Sequence, residues 1–161
     1  MTELALLARE SFAYCAATGR ITRRVTRGGQ MAGAIVGTAR TDGYQATKLA
    51  GKEILCHRLA WLIVHGDLPS GELDHINGNR SDNRIDNLRC ASRSMNNQNR
   101  RTAFKSNRLG VLGVTQTKRG TFIARIRVNG KGIHLGVFPT AAEASQAYVA
   151  AKRQLHQGNT L

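Results

Sequence analysis

The sequence predicts an α+β chain of three small modules. A β-rich N-terminal stretch (1–56) precedes a strand–loop–strand–helix unit (57–101); a polar linker (102–109) then leads to a three-stranded antiparallel sheet packed on one helix (110–161). Three observations point there. Short β-type runs are punctuated by turns such as Thr18-Gly19, Gly28-Gly29, Asp42-Gly43 and Asn129-Gly130. Two stretches, near 54–65 and 141–155, instead repeat apolar residues at helical spacing. The charge is also divided unevenly along the chain.

In the first module, residues 9–56 read as short strands and turns, including Ala34-Ile35-Val36 and Tyr44 to Leu49. From Ile54 to His65 the period changes: Leu59, Leu62 and Ile63 recur at helical spacing beside Trp61, and Gly66 stops the helix. His57 opens that helix and reads as a hydrogen-bonded packing residue, while His65 and His156 read as incidental. Next, Leu73-Asp74-His75-Ile76 reads as a strand, and Asn77-Gly78 is a hairpin-turn signal. A loop with Asp82-Asn83 and Asp86-Asn87 follows, and Leu88 anchors a return strand. Ser92 or Ser94 caps a helix running through Asn96 to about Arg101.

In the third module, strands are expected near 112–117, 121–128 and 132–137, then a helix over 141–155. Thr140 and Glu143 form its capping box. Ala144, Ala147, Tyr148, Ala151 and Leu155 make the face that lies on the sheet. In the middle strand, Phe122, Ala124, Ile126 and Val128 share one side, so Arg125 and Arg127 point to the other.

Composition narrows the function. With 41% hydrophobic residues the chain is foldable rather than disordered. Its formal charge is +14: residues 1–50 carry 7 basic and 3 acidic side chains, 51–99 carry 6 and 6, and 100–161 carry 11 and 1. Basic flanks around a neutral centre fit a polyanion held at both ends, and counterion release makes nucleic acid the expected partner. No apolar run reaches the roughly 18 residues of a membrane span, and the N-terminus has no signal-peptide pattern. Cys15, Cys56 and Cys90 form no C-x-x-C pair, so neither zinc nor a disulfide framework is expected. They read as small buried hydrophobes in a cytoplasmic protein.

The centre holds groups suited to phosphodiester hydrolysis. His75 can take a proton near neutral pH, and Asp74 with an amide oxygen offers hard ligands for Mg²⁺. Neighbouring strand residues face opposite sides, so Asp74 is expected to face the helix with Asn96, and His75 the other way. Asn99 shares a helix face with Asn96, which makes it a rival ligand or a supporting partner; Asn97 does not.

Asp74-His75, Asn87 twelve residues on and Asn96 nine further, with His57-Arg58-Leu59-Ala60-Trp61, Asn87-Leu88-Arg89 and Asn99-Arg100, resemble the HNH endonucleases. The likeness is to their asparagine-ended phage and intron-homing form. It implies a ββα-metal (His-Me finger) core and one divalent ion, Mg²⁺ or Mn²⁺, held by Asp74 and Asn96. It also implies His75 as general base, with Asn87 bracing the loop and orienting the histidine.

Residues 110–156, through Gly113-Val114, Phe122 to Arg127, Leu135 to Thr140 and Ala147-Tyr148, resemble the plant ethylene-response (APETALA) DNA-binding domain. That likeness implies DNA-facing roles for Thr115, Thr117, Arg119, Arg125, Arg127 and His134. Together the readings imply a monomeric, site-directed nickase or double-strand cutter acting on double-stranded DNA, with no membrane or protein partner. Two other classes stay open: a non-catalytic DNA-binding regulator with a degenerate core, and a basic RNA-binding protein.

Overall fold

The structure, a computed structural model, describes residues 2–104 and 106–159. The chain divides into two compact units, Met1–Cys90 and Ala91–Leu161.

The first unit opens with a helix absent from the sequence expectations, α1 (Glu3–Ser11). Thr2 caps it by accepting from the Ala5 amide, and Ala5 and Ala8 bury one side. Residues 9–11 therefore end a helix rather than begin a β module. Strands β1 (Phe12–Tyr14) and β2 (Ile21–Arg23) pair antiparallel. Ala34-Ile35-Val36 forms no strand, only an isolated bridge from Ile35 to Thr22, and Ile35 is exposed. A three-stranded antiparallel sheet follows, β3 (Thr38–Ala39), β4 (Gln45–Leu49) and β5 (Lys52–Leu55), with β4 central.

The helix expected from Ile54 begins two residues later, as α2 (Cys56–His65), because Lys52–Leu55 completes the sheet. Leu59, Ala60 and Leu62 are fully buried and join Ala5, Ala8, Phe12, Ile21, Leu49 and Leu88 in one core. Gly66, at φ 86, ends α2 in the left-handed region glycine favours. Arg9 donates from Nε to the Ile63 carbonyl (2.7 Å) and from Nη2 to that of Val64 (3.2 Å), capping the same end.

β6 (Glu72–His75) then pairs with β7 (Leu88–Ala91). Asn77-Gly78 does turn, with Gly78 N–H bonded to the His75 carbonyl, but no two-residue hairpin results. Nine residues of loop, ending in a 3-10 turn at Ile85–Asn87, separate Gly78 from β7.

The second unit begins with α3 (Arg93–Gln98), capped by Ser92, which accepts from the Met95 amide. It is shorter than expected and stops before Asn99. The sheet is β8 (Val114–Gln116), β9 (Phe122–Val128) and β10 (Lys131–Phe138), antiparallel with β9 central and a bulge between His134 and Gly136. α4 (Ala141–Leu155) packs on it, with Thr140 capping at the Glu143 amide. Ala124 and Ile126 are buried while Arg125 and Arg127 are exposed, as the two-residue period requires. The buried stripe of α4 is Ala144, Tyr148 and Lys152; Leu155 is exposed instead. Gly113 (φ 68) lies so close under Tyr148 that a Cβ would sit 2.0 Å from the ring.

Two further readings need correction. Of the cysteines only Cys56 is buried; Cys15 and Cys90 lie on polar surface. His156 is not incidental: it is buried, and its Nε2 bonds the Arg127 carbonyl at 2.9 Å.

Candidate active site

Four segments of the first unit converge on His75, the last residue of β6. It is 3% exposed. Its Nε2 lies 3.3 Å from Asn83 Oδ1. Asn83 is itself oriented, since its Nδ2 donates to Gln45 Oε1 at 3.1 Å and its carbonyl accepts from the Tyr14 hydroxyl at 3.0 Å. With Nδ2 committed to Gln45, Oδ1 must face the imidazole, which assigns the proton to Nε2 and the ring lone pair to Nδ1. Burial pushes the His75 pKa down; the Asn83 bond and the carboxylates of Asp74 and Asp82 oppose it more weakly. The ring is therefore neutral at physiological pH and able to accept a proton.

Two rings enclose it. His57, on the first turn of α2, meets His75 edge-on at 5.0 Å between centroids, and Tyr44 lies 5.9 Å from His75 and 5.2 Å from His57. Burial first, then the neighbouring His75 and Arg58, lowers the His57 pKa to about 3. Its Nδ1 is buried without a hydrogen-bond partner among the described residues. His57 thus packs directly against the candidate base through ring contacts, where the sequence reading expected a hydrogen bond.

Asp74, one residue earlier, turns to a different neighbour. Arg89 on β7 donates to its Oδ2 from Nε (3.1 Å) and Nη2 (2.9 Å). The Asp74 side chain is 9% exposed, so the guanidinium balances a largely desolvated charge. Asp74 and His75 are thus both buried but take different partners.

Asn87 closes the loop between the strands. Its Oδ1 accepts from the Asn77 amide (2.9 Å), its Nδ2 donates to the Asp82 carbonyl (2.8 Å), and its own carbonyl accepts from Ile76 N–H (2.8 Å). Asp82 ties the loop together: Arg84 and Asn77 bond its carboxylate, which holds its pKa down to about 2. Gly19 (φ 70) passes so near that a Cβ would lie 2.5 Å from Arg84 N and 2.6 Å from the Asn83 carbonyl carbon.

Asn96 lies on α3 in the second unit, half-buried, with buried Asn99 as the C-cap and Asn97 exposed. Of the sheet positions, Thr115, Arg119, Arg125, Arg127 and His134 are exposed, while Thr117 is half-buried and its hydroxyl pairs with that of Thr121. The sequence reading missed Tyr44, Gln45, Asn83 and Arg89. Asn83 sat in an Asp-Asn pair that reads equally well as a turn, Arg89 lay within the Asn87-Leu88-Arg89 run but was given no role, and Tyr44 and Gln45 carried no local signal.

Residues 55–98 match the HNH endonuclease family model. The matched segment contains His57, Asp74, His75, Asn83, Asn87, Arg89 and Asn96. The chain is also 32% identical over 108 residues to a protein described as an uncharacterised HNH endonuclease of Acanthamoeba polyphaga mimivirus. That similarity covers 66% of this chain and 55% of the viral protein, so the chain spans about half the length of the curated relative it matches. No solved structure matches.

Proposed function

We propose that the chain is a metal-dependent, site-directed DNA endonuclease of the homing type, hydrolysing phosphodiester bonds of double-stranded DNA. The observation that carries this reading is His75, buried, neutral and oriented by Asn83, inside a segment that matches HNH endonucleases.

His75 serves as general base, taking a proton from the attacking water at Nδ1 while Asn83 holds Nε2–H. His57 and Tyr44 exclude solvent from the ring and keep it neutral. Asn87 fixes the loop that carries Asn83, which makes it a positioning residue. Asp74 and Asn96 would hold one divalent ion, Mg²⁺ or Mn²⁺. The donor types fit, a carboxylate oxygen from Asp74 and an amide oxygen from Asn96 being hard ligands, and an ion at Asp74 would share or displace the Arg89 guanidinium on Oδ2. When bound, the ion would supply charge stabilisation at the scissile phosphate and the departing oxygen.

The second unit contributes affinity through Thr115, Thr117, Arg119, Arg125, Arg127 and His134, in the manner of an APETALA-type sheet. One site in a monomer nicks one strand at a time, in a cytoplasmic setting.

The test is supercoiled DNA bearing the native locus, incubated with Mg²⁺ or Mn²⁺. Wild type should convert it to the open circle, and His75→Ala should lose roughly 100-fold or more. A wild type that binds DNA but never nicks it would transfer the reading to a non-catalytic regulator. Undiminished nicking by His75→Ala would remove His75 as the base.

A further inference from the structure

We propose that the second unit holds an unpaired DNA strand in a groove whose one wall is α3 with the connector after it, and whose other is β8 and β9. The groove has a volume of about 1170 Å³, beyond the roughly 300–1,000 Å³ of a small-molecule pocket, so it has room for a larger ligand. Arg93, Arg100, Arg108, Arg125 and Arg127 line it, the last two shared with the sheet face assigned above to the duplex, and among the described residues no Asp or Glu does. Five guanidiniums around one groove is the electrostatics of a phosphodiester backbone.

A stacking platform accompanies the charge. Phe104 is 61% exposed, and the Arg100 guanidinium lies 3.6 Å from its ring centroid. A ring with a guanidinium on one face offers the other to a base, and base–aromatic stacking is how single strands are held without regard to sequence. A duplex presents only base edges in its grooves, so this platform selects for an unpaired strand.

The wall is built, not a loose tether. Lys152, buried in α4, donates from Nζ to the Arg100 carbonyl. Gly158 N–H donates to Gln98 Oε1 at 3.1 Å. Asn107 donates from Nδ2 to the Val111 and Val114 carbonyls and accepts at Oδ1 from Leu109 N–H. Asn107, in the stretch expected as a linker, is thereby tied to β8, and Arg100, just before that stretch, to α4. DNA rather than RNA as the occupant rests on the nuclease reading above.

The test is fluorescence anisotropy with the full-length protein in EDTA, where metal-dependent cutting cannot occur. The probes are labelled oligothymidine, a duplex of equal length, and oligouridine. Phe104→Ala should weaken oligothymidine binding about tenfold and duplex binding less than twofold, while Phe104→Trp should keep wild-type affinity. Arg93→Gln and Arg108→Gln should each flatten the salt dependence on oligothymidine by about 0.7 in log–log slope. Equal losses on both DNA probes in Phe104→Ala, or no loss on either, overturn the proposal. Tighter binding of oligouridine than oligothymidine also overturns it, assigning the groove to RNA. The two readings fail separately: a protein that passes these tests but never nicks loses only the nuclease, and one that nicks but fails them loses only the groove.

Discussion

His57 meets His75 edge-on, with 5.0 Å between ring centroids and both imidazoles buried. Two adjacent buried imidazoles resist protonation together, because a charge on either would be desolvated and would repel a charge on the other.

Stability should therefore depend on pH in a definite direction. His57 is lowered from 6.5 to about 3 in the folded chain, and His75 is lowered as well. Below pH 6.5 the unfolded chain binds protons that the folded chain refuses. The His57 contribution is complete above about pH 6.5 and falls away toward pH 3, by up to about tenfold in the folding equilibrium per pH unit, and that of His75 has the same sign. His57→Phe keeps a ring in place and removes one titration. Its urea midpoint should vary less with pH below 6.5, and a profile parallel to wild type would exclude His57 from the effect.

The same lowered His75 pKa places the acid limb of the cleavage profile below pH 6.5. Asn83→Asp would set a carboxylate at the Nε2 side and favour the imidazolium, moving that limb upward. Asn83→Leu should lower kcat about tenfold or more with little change in KM, as a positioning role demands. An acid limb unmoved in Asn83→Asp would separate Asn83 from the base.

Arg89→Leu leaves the Asp74 carboxylate buried without its guanidinium and should destabilise the fold by about 3 kcal/mol. Adding Asp74→Asn should restore about half of that while abolishing cleavage. Chemical denaturation of the two single variants and the double variant measures the coupling; strictly additive losses would deny that the pair acts as a unit.

Gly19→Ala should cost about 2 kcal/mol or more. Its φ of 70 disfavours a side chain, and the new Cβ would meet the backbone of Asn83 and Arg84 at 2.6 and 2.5 Å. Because that backbone carries Asn83, cleavage by the folded fraction should fall too. A thermal melt with activity normalised to folded protein separates the effects. Unchanged activity per folded molecule would show that the loop shifts without disturbing His75.

The sequence by itself determined the local elements. Thr140 capping α4 over 141–155, the two-residue alternation of β9 and the stop of α2 at Gly66 all follow from backbone preference and period. The dipeptide Asp74-His75 with Asn87 and Asn96 was legible as a set of groups suited to phosphodiester chemistry, because those residue types at that spacing carried the resemblance. Only the tertiary structure brought His57, Tyr44 and Asn83 around His75, joined Gln45 to Asn83 across 38 residues, and gave Arg89 to Asp74. It also buried Lys152 while leaving Leu155 exposed, and made the connector one wall of a groove. The physical reason is range. Helix and strand preferences act within a few residues and leave a period in the sequence. The partner of a buried polar side chain is chosen by whichever distant segment the packing brings beside it, and that choice leaves no local trace.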